Sequence, residues 1–125
     1  MDEDNTPGAE QAVPAGRLSV TASTADGIRV LTVAGEIDHD TGDVLHQALD
    51  PSGTPSPRVV VDMRQVTFMD SVGINLFITA HRSLAQVGGW LRLVSVGTTV
   101  MRTFQIVGID EFLDIRETRE EALSE

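Results

Sequence analysis

Val59-Val60-Val61 places three β-branched side chains in a row with nothing polar between them. A strand with one wet face alternates apolar and polar residues, so this run belongs to a strand buried on both faces. Ile28 to Ala34 reads the same way, interrupted only by Arg29 and Thr32. Strands of this kind need a covering layer, and the segments between them supply one. Val44, Leu45, Ala48 and Leu49 form a helical stripe near residues 41–49. Ile74, Phe77, Leu84 and Val87 form another from Ser71 to Val87, stopped by Gly88-Gly89. Val100, Met101, Phe104 and Val107 form a third from Thr98 to Val107, with Gly108 past its end. Helical crossovers between strands require parallel pairing, so the spacing predicts an α/β domain.

The remaining elements follow local signals. Leu18, Val20 and Ala22 alternate with Arg17, Ser19 and Thr21, and Ala25-Asp26-Gly27 marks a turn into Ile28. These first two strands should therefore pair antiparallel. Pro51 to Pro57 reads as a loop, Arg58 to Met63 as a strand with a loop after it, and Trp90 to Val96 as another strand. Leu113 to Arg116 reads as a last short strand, and Thr118-Arg119-Glu120-Glu121 as a capping box that opens a terminal helix. The order β-β-α-β-α-β-α-β-α gives a mixed sheet of four to five strands packed with about four helices.

At 125 residues the chain suffices for one domain. Its charge is −10, from 19 acids and nine bases, all of the latter Arg. Residues 1–16 carry four acids and no base, 17–109 eight acids and seven Arg, and 110–125 seven acids and two Arg. The first segment has hardly any large apolar side chain, which predicts a flexible acidic tail over 1–16 ahead of a domain over 17–125. So acidic a chain is repelled by phosphate backbones and anionic lipid, which argues against direct nucleic-acid or membrane binding. With no Cys, disulfides, thiolate metal sites and cysteine nucleophiles are excluded. No apolar run exceeds three residues and the N-terminus opens on Asp2, Glu3 and Asp4, so neither a membrane span nor a secretory signal is expected. The expected location is cytoplasmic.

Two places carry candidate chemistry. Thr67-Phe68-Met69-Asp70-Ser71-Val72-Gly73-Ile74 leads into the second long helix. Asp or Ser there is an ordinary N-cap. Alternatively, a Ser hydroxyl at a helix N-terminus on the carboxyl edge of a sheet suits phosphate chemistry, since free N–H groups and the helix dipole favour an anion. Gly35-Glu36-Ile37-Asp38-His39-Asp40 closes the second strand and reads most simply as an acidic turn. A metal site at Asp38, His39 and Asp40 is disfavoured, because three consecutive residues cannot all face one ion from an extended strand. A hydrolase triad is disfavoured too, since Ser71 lacks the glycines of a nucleophile elbow. His46 and His81 sit beside apolar helical neighbours and read as core or flank. Gly97-Thr98-Thr99 lacks the Lys and glycines of a phosphate loop and reads as a helix N-cap.

Val59-Val60-Val61-Asp62 followed by Phe68-Met69-Asp70-Ser71-Val72-Gly73-Ile74 resembles the phosphorylation-site signature of the STAS-domain anti-sigma factor antagonists. Gly35-Glu36-Ile37-Asp38 resembles the family's second signature. Val107-Gly108-Ile109-Asp110, Leu113-Asp114-Ile115 and Glu120-Glu121-Ala122-Leu123 match its C-terminal part. The similarity covers about residues 17–124, with the motifs in register. It implies a single STAS domain acting as a binding switch and not as an enzyme. The unphosphorylated form binds an anti-sigma factor that is itself a serine kinase, which frees a sigma factor for transcription. Phosphorylation by that kinase breaks the complex, and a phosphatase resets it. By position Ser71 matches the phosphoacceptor and Asp38 the acidic residue near it, while Asp70 and Gly73 match the frame of the motif. ATP and magnesium belong to the kinase, so no cofactor and no metal is expected here.

The chain departs from the family pattern at Val72, where many relatives have a second Ser or Thr, leaving Ser71 the unambiguous acceptor. Asn75 replaces a small residue one turn into the helix and, with Asp38, Asp70 and Gly73, is expected to bear on partner binding. Thr98 or Thr99 stands where a Pro often begins the third helix. The same fold also serves as a scaffold or adaptor domain in stress-signalling or lipid-transport assemblies, uses that can dispense with a phosphoacceptor.

Overall fold

The computed structural model describes residues 12–15, 17–50 and 57–124. They form a six-stranded sheet in sequence order: β1 (Ala12–Ala15), β2 (Leu18–Ala25), β3 (Ile28–Ile37), β4 (Arg58–Met69), β5 (Trp90–Val94) and β6 (Asp114–Arg116). β1, β2 and β3 pair antiparallel, and β3 to β6 pair parallel. The helices are α1 (Gly42–Ala48), α2 (Ser71–Gln86), α3 (Thr98–Val107) and α4 (Arg119–Leu123), with a 3-10 turn at Ile109–Glu111.

The valine run divides between two cores. Val59 and Val61 pack with Leu31, Val33, Leu91 and Leu93 beneath Leu45 of α1, Phe77 and Leu84 of α2, and Val100 and Phe104 of α3. Val60 faces the other way, with Ile28, Val30 and Val94, and Ala122 of α4 belongs to the same cluster. Both faces of the central strands are thus covered, as their unbroken apolar runs require.

α4 has five residues, too few to hold together unaided. Arginines hold it to the sheet. The Arg92 guanidinium lies 3.8 Å from the centre of the Trp90 ring and donates to the carbonyls of Ala122 (3.0 Å) and Ser124 (2.6 Å). Arg119 donates to Asp62 Oδ2 at 2.9 Å. Asp62 is buried in β4, so Arg119→Ala strands a charged carboxylate. Because Arg119 is half exposed, its pairing is partly screened, and urea unfolding should show a loss of about 1–2 kcal/mol.

All five strands read from the sequence are present; β5 stops at Val94, two residues short of the expected Val96, and two strands run further than expected. β3 runs on to Ile37, and β4 continues to Met69 through the segment expected to be a loop. The cause is two irregularities in the β3–β4 ladder: Thr32 pairs with Asp62 but Ala34 with Gln65, and Gly35 pairs with Val66 but Glu36 with Phe68. Each leaves an extra residue in β4, so side chains there do not alternate and the segment does not look like a strand. Asp62 Oδ1 stabilises the first by accepting from the Arg64 amide at 3.0 Å. The capping box forms at Thr118, whose hydroxyl accepts from the Glu121 amide at 3.1 Å, but its reciprocal bond is displaced: the Glu121 carboxylate accepts from the Glu117 amide (3.2 Å), one residue ahead of the cap.

Of the segment expected as a flexible tail, residues 1–11 and 16 lie outside the described residues, as do 51–56 of the proline-rich loop. Ala12–Ala15 are a strand instead, paired with β2 from Ala12↔Thr21 to Ala15↔Leu18, because β2 would otherwise be the edge of the sheet and offers its backbone groups to them. Among the described residues no helix is long and apolar enough to cross a membrane.

Candidate functional site

β3 and β4 end side by side at the carboxyl edge of the parallel part of the sheet, with Ile37 paired to Met69. The Ile37 carbonyl accepts from the Asp70 amide at 3.1 Å. One residue beyond that bond on either chain stand Asp38 and Ser71. The two segments that the sequence marks out therefore meet at one place.

Asp70 is the N-cap of α2: its backbone is extended and its Oδ1 accepts from the Val72 amide at 2.9 Å. Its carbonyl accepts from Gly73 (3.1 Å) and Ile74 (3.4 Å). Ser71 is the first helical residue and is exposed. Its hydroxyl makes no hydrogen bond among the described residues, so capping falls to Asp70 and the Ser71 oxygen is left open to solvent. Asn75, one turn on, is exposed as well.

Gly73 is buried, not on the surface where a partner could touch it. A Cβ there would collide with the Met69 side chain and come within 2.9 Å of Ile37 Cγ2, so the glycine lets α2 start close against the strand ends. Gly42 does the same for α1, where a Cβ would lie 2.9 Å from Val72 Cγ1.

Asp38 is 9% exposed and its carboxylate is engaged on every side. Arg17 donates to Oδ2 at 2.5 Å, while Oδ1 accepts from the amides of Asp40 (2.9 Å) and Thr41 (3.2 Å) and from the Thr41 hydroxyl (3.2 Å). Thr41 is buried and its hydroxyl also accepts from the Asp38 amide at 2.8 Å. This is an Asx-type turn that fixes the entry to α1. It leaves no capacity for a metal, and no group of three or more His, Asp or Glu that could hold one occurs among the described residues. His39 and His46 are exposed, and His81 packs edge-on against Phe112 with ring centres 4.7 Å apart. Among the described residues no imidazole hydrogen-bonds Ser71. Gly97 caps α3 through its backbone, without a side-chain bond.

Desolvation pushes the Asp38 carboxyl upward, but the Asp40 amide, the Arg17 guanidinium and the Thr41 groups outweigh it and hold the pKa below the usual 3.8. A carboxyl lowered on folding stabilises the fold fully above its unfolded pKa, and that contribution is lost as pH falls through the folded one. The stability of Asp38→Asn should therefore depend less on pH than that of the wild type between about pH 5 and 2, measured by urea midpoints across that range. An identical pH dependence would show that Asp38 carries no such linkage.

Arg17 is the site residue that motif reading passes over. It bonds Glu36 (2.8 Å), Asp38 (2.5 Å) and Asp40 (3.5 Å) and is the hub of the acidic turn. The signal was present in the hairpin. Counting outward from the two-residue turn Asp26-Gly27, with Ala25 opposite Ile28 and Leu18 opposite Gly35, sets Arg17 beside Glu36.

Comparison with known proteins agrees with the fold. The chain is 29% identical over 104 residues to the anti-sigma-B factor antagonist of Staphylococcus aureus, covering 82% of this chain and 96% of that one. It is 29% identical over 85 residues to the anti-sigma-B factor antagonist of Bacillus subtilis, covering 68% and 78%. The crystal structure of an anti-sigma factor antagonist from Mycobacterium paratuberculosis superposes with a TM-score of 0.76 at 28% identity, over 90% of this chain and 96% of that one. The STAS domain model matches residues 19–122, which take in both signature segments and the helix that Ser71 opens, and the chain belongs to the STAS domain family.

Proposed function

We propose that this protein is a cytoplasmic anti-sigma factor antagonist that works as a phosphorylation-controlled binding switch. In its unphosphorylated form it binds an anti-sigma factor serine kinase and so frees a sigma factor. Transfer of phosphate from ATP to Ser71 ends the binding, and a phosphatase restores it. The observation that carries the reading is the state of Ser71: exposed, at the first position of a 16-residue helix, and relieved of capping by Asp70. A scaffold use of the fold asks nothing of such a hydroxyl.

The neighbours fit supporting roles. Asp70 and Gly73 set the position of the first helical turn, Asp38 holds the adjoining turn in one shape through Arg17, and Asn75 offers a polar contact on the exposed face of α2. The protein performs no chemistry of its own; ATP and magnesium are handled by the kinase. The test is incubation with anti-sigma serine kinases from the same genome and ATP, followed by phosphosite mapping. Phosphate on a residue other than Ser71 would overturn the reading.

A further inference from the structure

We propose that Phe68 is the apolar anchor by which this protein docks on the serine kinase that modifies Ser71, and that the kinase presents a facing apolar pocket with a basic rim. The inference rests on the switch reading and adds to it the residue that supplies affinity. Phe68 is 48% exposed and follows the exposed Thr67, whereas Val66 and Met69, which bracket this pair in β4, are 7% and 6% exposed. It stands opposite Glu36 in the ladder and two residues before the cap Asp70. An aromatic ring half in water on a rigid strand end has few conformers to lose on binding, which is the character of an interface anchor.

The surroundings select the occupant. Glu36, Asp40, Asp43 and Asp70 border the same edge, and the base paired among them is Arg17. Like charges across an interface are costly, so a second copy of a chain with net charge −10 is a poor partner for this edge and a surface with a basic rim is a good one. The other large apolar residues exposed among the described ones lie away from this edge: Val87 is the C-cap of α2, at the opposite end of that helix from Ser71, and Ile106, Val107 and Phe112 lie at or beyond the far end of α3, a helix that starts after β5 at the carboxyl edge and runs back from it.

The experiment uses the full chain and the kinase that phosphorylates it, and compares wild type with Phe68→Ala, Phe68→Leu and Phe112→Ala. Removing an anchor that acts in binding alone raises KM with little effect on kcat. Phe68→Ala should raise both Kd by calorimetry and KM for phosphorylation at least tenfold, with kcat within twofold. Phe68→Leu should recover most of the loss, and Phe112→Ala should behave as wild type. Circular dichroism and urea midpoints of each variant verify that the fold is kept. Unchanged Kd and KM in Phe68→Ala, or an equal loss in Phe112→Ala, would overturn the anchor while leaving the Ser71 switch standing. Absence of wild-type phosphorylation by every anti-sigma serine kinase of the genome would overturn both.

Discussion

Incubated with its kinase and ATP, the protein should take up one phosphate, on Ser71, and the Ser71→Ala variant should take up none. The same variant should bind the kinase with wild-type affinity and stay bound in the presence of ATP, leaving the sigma factor constitutively free. The phosphorylated form should bind several-hundred-fold more weakly. Phosphate adds about −1.5 to −2 charges and three acceptor oxygens at one point. Within the free protein that charge meets opposing effects. The N-terminus of α2 favours an anion by about 0.3–1 kcal/mol, while the cap carboxylate of Asp70 next door repels it. Folding stability should therefore change little. At the interface a dianion must be desolvated against a surface fitted to a neutral hydroxyl, and a penalty of only ~3–4 kcal/mol yields the expected weakening, at 1.4 kcal/mol per tenfold. Ser71→Asp, with one charge and a shorter reach, should lie between. Calorimetric Kd values for the four forms, with their melting temperatures, decide the matter. Equal affinity for the phosphorylated and unphosphorylated protein would end the switch reading and favour a scaffold.

Gly35→Ala should cost about 3 kcal/mol, lower the melting temperature by roughly 10 °C, and disorganise the acidic turn while leaving Ser71 untouched. Gly35 has φ +111°, which an L side chain rarely adopts, and a Cβ there would collide with the Arg17 carbonyl. That carbonyl accepts from the Glu36 amide at 2.9 Å, so the clash cannot be relieved without breaking a backbone bond at the end of β3. Strained φ and overpacking each account for about 1–3 kcal/mol. Arg17 is moved in the process, and with it the partner of Asp38. Urea unfolding reads the stability, and the pH dependence of stability below pH 5 reads the loss of the Arg17–Asp38 pairing. A cost below about 1 kcal/mol would mean that the strand end relaxes freely and that Gly35 does not set the geometry of the turn.

The sequence by itself determined the layers, the order of the elements and the place of Ser71 at the start of a helix. Apolar periodicity is a local property: the valine run can only be a strand covered on both sides, and the stripe from Ile74 to Leu84 can only be a helix lying on it. Ser71 was legible because Asp-Ser-x-Gly at a strand-to-helix junction is a compact motif. Tertiary structure alone decided what the neighbouring residues do. Whether Asp70 or Ser71 caps α2 depends on backbone angles, and the Ile37–Asp70 bond that sets them joins strands far apart in the chain. Gly73 and Asp38 read as surface residues because polarity and motif position say nothing about burial. They are inside because α2 and the Arg17 hairpin close over the strand ends. The continuation of β4 to Met69 was hidden because two bulges shift its facing, and a bulge is a property of pairing with β3. Phe68 remained unnoticed because an aromatic near a strand end reads as core until the ladder shows which face it is on. Local pattern reports what a segment wants to bury, and only the packed chain reports what it was able to.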